Sequence, residues 1–136
     1  MAGAVREAGA MIAGMAPRRL PGAVVFHAVP GWAEAAPLAA QARATVREEE
    51  GVTLVLPADH PAAPESAPRF AQITLGVASA LDGVGLTAAV AGALAAARIP
   101  CNVIAGRHHD HLFVPEAQAE AAIAALDARA AAEGAR

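Results

Sequence analysis

Residues 70–106 read "FAQITLGVASALDGVGLTAAVAGALAAARIPCNVIAG", and this stretch decides the fold. Over 70–77 the apolar Ala71, Ile73, Leu75 and Val77 alternate with Gln72 and Thr74, the period of two expected of a half-buried strand. Ser79, Asp82, Gly83 and Gly85 then mark a turn. A helix is predicted from about 82 to 97, with Val84, Ala88, Ala91 and Leu94 or Ala95 on its buried stripe. Pro100 ends that helix, because proline lacks the N–H a continuing turn needs, and "CNVIAG" (101–106) starts a second strand.

Downstream, "HLFVP" (111–115) returns antiparallel to that strand. Pro115 suits the first turn of a last helix, Glu116 suits its positive end, and Ile123, Leu126 and small alanines form the stripe. Upstream, "AVVFHAVP" (23–30) is a β-branched run closed by Pro30-Gly31. One or two helical turns broken near Pro37 follow over 32–42. "ARATVREEEGVTLVLP" (42–57) holds two strands, about 43–49 and 52–57, joined tightly at Glu50-Gly51. The proline-rich "ADHPAAPESAPR" (58–69) reads as a linker, and residues 1–20 as a helical or disordered arm weakened by Gly3, Gly9 and Gly14. The expected organisation is therefore an arm over 1–20, an abbreviated β-(short α)-β-β unit over 21–62, and a fuller β-α-β-β-α unit over 68–132. The class is α+β, with helices on one face of antiparallel sheets.

The 136-residue chain is 56% apolar, much of that alanine, and carries a formal charge of −3. Its ten cations are all arginine and it has no clustered basic surface in sequence, which argues against a nucleic-acid partner. Aromatic residues make up 3%, with Trp32 the single tryptophan and no tyrosine, so base- or sugar-stacking platforms are not expected. One cysteine, Cys101, excludes an internal disulfide and a cysteine metal cage, and a reducing, cytoplasmic setting fits it. No stretch has the roughly 18 apolar residues a membrane helix needs.

Three segments could carry chemistry. His108, His109, Asp110 and His111 are consecutive. A strand-borne His-x-His pair can chelate zinc or copper, but the other ligands have no evident source among His27, His60 and Glu48–Glu50. The plainer reading is a polar hairpin end with solvated histidines and Asp110 capping backbone N–H groups. The segment 77–87 joins a strand to a helix start. There Ser79 and Asp82 can act as a capping-box variant, or the glycines and helix-start N–H groups can meet an anion such as a carboxylate. Cys101 has no adjacent base and reads as an inert thiol. No Ser-His-Asp order, P-loop or paired-carboxylate pattern appears, so no catalytic residue and no cofactor are expected.

Taken together, "VREEEGVTLVLP", the 70–106 stretch and "HHDHLFVP" resemble small bacterial proteins with tandem ACT-like domains. The resemblance runs from about Ala23 to Leu126. It implies a ferredoxin-like βαββαβ sandwich in tandem, used to bind amino acids or similar metabolites for regulation. On this chain it implies a ligand loop of Ser79, Leu81, Val84, Gly85 and Leu86, faced by Cys101, Asn102 and Val103. Relatives often carry an aromatic pair where this chain has Arg107 and His108, so a stacking role there is not implied. The leading expectation is a non-catalytic regulatory protein that binds a small molecule, an amino acid foremost, and forms a homodimer through an exposed edge or helical face. Two others stand beside it: a metal protein using His109, Asp110 and His111, and an interaction module without a ligand.

Overall fold

The structure is a computed structural model and describes residues 3–136. It divides into two compact units, one made of the segment up to Leu20 together with Ala71–Arg136, the other of Pro21–Phe70. This differs from the expected partition: the arm does not stand apart from the second unit but belongs to it, and the first unit extends through the proline-rich 58–69.

In the discontinuous unit, helix α1 (Ala8–Ala13) is capped by the Glu7 carboxylate, which accepts from the Gly9 and Ala10 N–H groups. Strand β1 (Pro17–Arg19) pairs antiparallel with a later strand, Phe70–Leu75, in the register Pro17↔Leu75, Arg18↔Thr74, Arg19↔Ile73. Met11, Ile12 and Met15 from this arm are core residues. The arm is ordered for that reason: three buried apolar side chains and a strand pairing outweigh the glycine cost.

The other unit starts with β2 (Val24–Val29), α2 (Trp32–Ala35) with a following 3₁₀ turn at Ala36–Leu38, β3 (Ala44–Glu48) and β4 (Gly51–Pro57). Its strands lie in the order β3-β4-β2, all antiparallel. Val25, Ala35, Val52, Leu54 and Leu56 form its core. Ala58, Ala62, Ala63 and Ala67 pack against that core, so the expected linker is a set of turns covering the sheet where a second helix would lie. The His60 ring Nδ1 accepts from Ala62 N–H at 3.0 Å and fixes one of those turns. Phe70 closes the unit by pairing with Val24, its ring edge-on to Phe26 at 5.3 Å between centroids. At the β3–β4 turn, Gly51 has φ +147°, and a Cβ there would lie 2.1 Å from the Val29 carbonyl oxygen. Only glycine fits that turn.

Strand β5 (Phe70–Leu75) leads on into the discontinuous unit, followed by α3 (Leu86–Ala96), β6 (Asn102–Ala105), β7 (Asp110–Pro115), a 3₁₀ turn at Glu116–Gln118 and α4 (Ala119–Gly134). The strand order is β1-β5-β7-β6. The elements β5-α3-β6-β7-α4 make a ferredoxin-like unit in which β1 takes the place of the closing strand. Ala71, Ile73 and Leu75 of β5 and Leu112 and Val114 of β7 meet Leu86, Val90, Leu94, Ala122 and Leu126 from the helices, which therefore cover one face of the sheet.

Two local expectations change. The buried stripe of α3 is Leu86, Val90 and Leu94, not the one beginning at Val84, which is 82% exposed ahead of the helix. In an alanine-rich helix the branched side chains, not the alanines, choose the face. Nor is β5 half-buried: Gln72 and Thr74 are each only 7% exposed, because their polar groups meet His111 instead of water.

Candidate functional site

The segment between β5 and α3 is held in place by the arm. Val5 N–H donates to the Ala78 carbonyl at 2.7 Å, and Ala80 N–H donates to the Val5 carbonyl at 2.8 Å. Arg6 grips Asp82 Oδ1 through Nη2 at 2.8 Å and Nε at 3.1 Å. That hydrogen bond, with the guanidinium charge behind it, lowers the Asp82 pKa from its ordinary value.

Asp82 is thus not part of a capping box, and Ser79 is not the helix cap. The cap is Gly85, at φ +115°, with no side-chain hydrogen bond to the first turn. This left-handed residue turns the chain sharply and delays the helix to Leu86, four residues later than expected. The first N–H groups of α3 therefore receive no side-chain acceptor at the cap. Ser79 instead donates its hydroxyl to Asp110 Oδ2 at 3.2 Å.

A cavity of about 150 Å³ lies among these groups. Ser79, Ala80 and Leu81 from the loop and Gly83, Gly85, Leu86 and Thr87 around the helix start line it. Met11 of α1, Ala105 of β6 and Asp110 of β7 complete the wall. Of the residues singled out by resemblance, Ser79, Leu81, Gly85 and Leu86 come together here. Val84 sits at the exposed tip of the loop. Cys101, Asn102 and Val103 do not line it. Strand alternation separates them: Val103 turns to the helix-covered core, as Cys101 before it does, and Asn102 projects to the other face. Burial raises the Cys101 pKa. Met11 and Ala105 were missed, and Asp110 was expected only as a turn cap or a metal ligand. Met11 carries no local signal, since it reaches the site only through the β1 pairing of the arm.

The histidine cluster is dispersed rather than convergent. At the β6–β7 turn, Gly106 N–H donates to the His109 carbonyl at 2.9 Å. His108 is exposed. His109 donates Nδ1–H to the Val77 carbonyl at 3.1 Å, Asp110 accepts from Ser79, and His111 Nδ1 lies 2.9 Å from Thr74 Oγ1. His111 is therefore not a solvated turn residue, and Asp110 caps a hydroxyl rather than backbone N–H groups. Burial, with the neighbouring His109 charge adding to it, lowers the His111 pKa, partly countered by Asp110. The three side chains engage three different partners. Among the described residues no three His, Cys, Asp or Glu side chains gather as a metal site. Among the same residues no helix is long and apolar enough to cross a membrane.

Two ACT-domain family profiles match the chain in tandem, one over residues 4–70 and the other over residues 65–128. Among solved structures, a Vibrio cholerae protein of unknown function, described as a possible transport protein, is 41% identical. The match covers 87% of this chain and 93% of that one, with a TM-score of 0.73. An Agrobacterium tumefaciens protein, 18% identical, shares the fold over 85% of this chain and 89% of its own, with a TM-score of 0.63. No curated protein matches the chain.

Proposed function

The chain belongs to the ACT-domain family, as a tandem pair of modules, and from that premise we propose that it is a non-catalytic regulatory protein whose ligand is a small amino acid held at the start of α3. ACT domains generally serve as regulatory, ligand-binding modules, and the chain's two profile matches give it that general role. The amino-acid ligand rests on one juxtaposition, the start of α3 without a side-chain cap and the Asp110 carboxylate in the wall of the same cavity.

The chemistry is complementary to a zwitterion. A helix start offers N–H donors and partial positive charge to a carboxylate. Asp110 offers a charge-assisted acceptor to an ammonium group, and Ser79 steadies that carboxylate from the side. Met11, Leu81 and Leu86 give the side chain of the ligand an apolar wall. The cavity, about 150 Å³, suits a small amino acid better than an aromatic one.

The same reading includes a homodimer and a cytoplasmic location. Leu81 and Val84, 64% and 82% exposed at the loop tip, are costly to leave in water and suit a second copy laid across the site.

Calorimetric titration of the standard amino acids tests the reading. A saturable exothermic or endothermic isotherm for a small aliphatic or hydroxy amino acid, lost in Asp110→Asn, is the expected result. Binding of none of them, or an affinity that both Asp110→Asn and Gly85→Val leave unchanged, overturns it.

A further inference from the structure

A second and larger cavity, about 380 Å³, lies in the 21–70 unit at the end of the sheet where β2 begins and β4 ends. Arg43, Asp59 and Arg69 line it, with Pro21–Ala23 and Pro57–Ala58 forming its backbone walls. Two hydrogen bonds fix that frame: Ala58 N–H donates to the Ala23 carbonyl at 2.8 Å, and Arg43 N–H donates to the Val55 carbonyl at 2.7 Å. The Cα positions from which Arg43 and Asp59 project are thus set by the sheet itself.

The unit carries different sets of charges at its two sheet ends, with Arg47 of β3 standing beside the acidic residues at one of them. Its β3–β4 turn end carries Glu48, Glu49 and Glu50, with Glu48 and Glu50 lining a cavity of about 200 Å³ there. The opposite end carries Arg43 and Arg69 against the single carboxylate of Asp59. We propose that this arginine-bearing end of the 21–70 unit is a binding site for a small anionic metabolite, carboxylate- or phosphate-bearing, gripped by Arg43 and Arg69. A guanidinium presents five donors in a planar fork matched to the paired oxygens of either group. Neither arginine stands without a protein partner, and the fork has donors enough to keep one while it meets a ligand. Asp59 at the rim disfavours a polyanion and sets the preference for a ligand of modest charge. The site shares no residue with the α3 cavity and does not depend on it.

The test is an NMR titration of the full chain at low ionic strength, with inorganic phosphate and, separately, with succinate. Saturable shifts of the Ala23, Arg43, Ala58 and Asp59 amides are expected with at least one of the two, and the stronger binder identifies which anionic group the site prefers. Arg43→Gln and Arg69→Gln should each weaken that binding by about tenfold or more. Arg47→Gln, which removes the same charge from the same unit outside the cavity, should leave it unchanged, as should Asp110→Asn. No saturable shift at these amides with either anion up to about 10 mM overturns the proposal. So does equal binding by Arg43→Gln, Arg69→Gln and Arg47→Gln; should one of the first two fail to fold, the other decides.

Discussion

The Ser79 hydroxyl donates to Asp110 Oδ2 at 3.2 Å, joining the loop after β5 to the start of β7 across 31 positions of sequence. It links two residues of the α3 cavity wall and so orients the carboxylate that the proposed ligand meets. Ser79→Ala should keep the fold and weaken amino-acid binding by severalfold, whereas Asp110→Asn should weaken it by about tenfold or more. Paired calorimetric titrations measure both.

Gly51 should tolerate no side chain. At φ +147°, with the Val29 carbonyl oxygen 2.1 Å from the place of a Cβ, Gly51→Ala must open the β3–β4 turn. A loss of about 3 kcal/mol is expected, from left-handed strain plus a displaced hairpin. Urea unfolding measures it, and an unchanged midpoint would contradict the turn geometry.

Met15 tests the arm. It is 0% exposed and belongs to the same core as Leu94 and Leu126. Met15→Ala should cost about 2–5 kcal/mol, the range for emptying a buried methionine site. A disordered arm would give a change near zero in the same unfolding experiment.

His111 makes stability depend on pH in one direction. Its pKa in the folded chain lies below the ordinary 6.5, chiefly through burial. The unfolded chain therefore binds the proton more readily, and stability is fully present above pH 6.5 and falls as pH drops below it toward the folded pKa. His111→Gln should flatten that part of the profile in thermal melts recorded from neutral to mildly acidic pH. A wild-type profile that rises on acidification would contradict the assignment.

Cys101 should resist alkylation. Burial raises its pKa above the ordinary thiol value of 9.0, and only the thiolate attacks. Its rate of reaction with iodoacetamide should stay below that of a free thiol at every pH short of strongly alkaline, and should match it once the chain is unfolded.

Where apolar side chains are large and patterned, the sequence was readable. β4 declares itself through Val52, Leu54 and Leu56, and β5 through Ala71, Ile73 and Leu75. Legibility failed where small residues dilute the pattern. In α3 the alanines fit any stripe, and the left-handed φ of Gly85 that sets the helix start is invisible in sequence. Over 58–69 the prolines suggest a linker, but alanines between them are apolar enough to seal a small core. The candidate site was half legible for the same kind of reason. Ser79, Leu81, Gly85 and Leu86 are neighbours in sequence, whereas Met11 and Asp110 arrive from distant strands and helices.

The pairing of β1 with β5 also sets an order of events during synthesis. Pro17 finds its strand partner at Leu75, with the entire 21–70 unit made in between. The first segment must leave the ribosome with Met11, Ile12 and Met15 uncovered and wait, while the inserted unit has all its strands in hand and can fold ahead of it. Such long-range closure is slow and leaves apolar surface open to capture, so the arm cannot become native before β5 and the helices that share its core have been made.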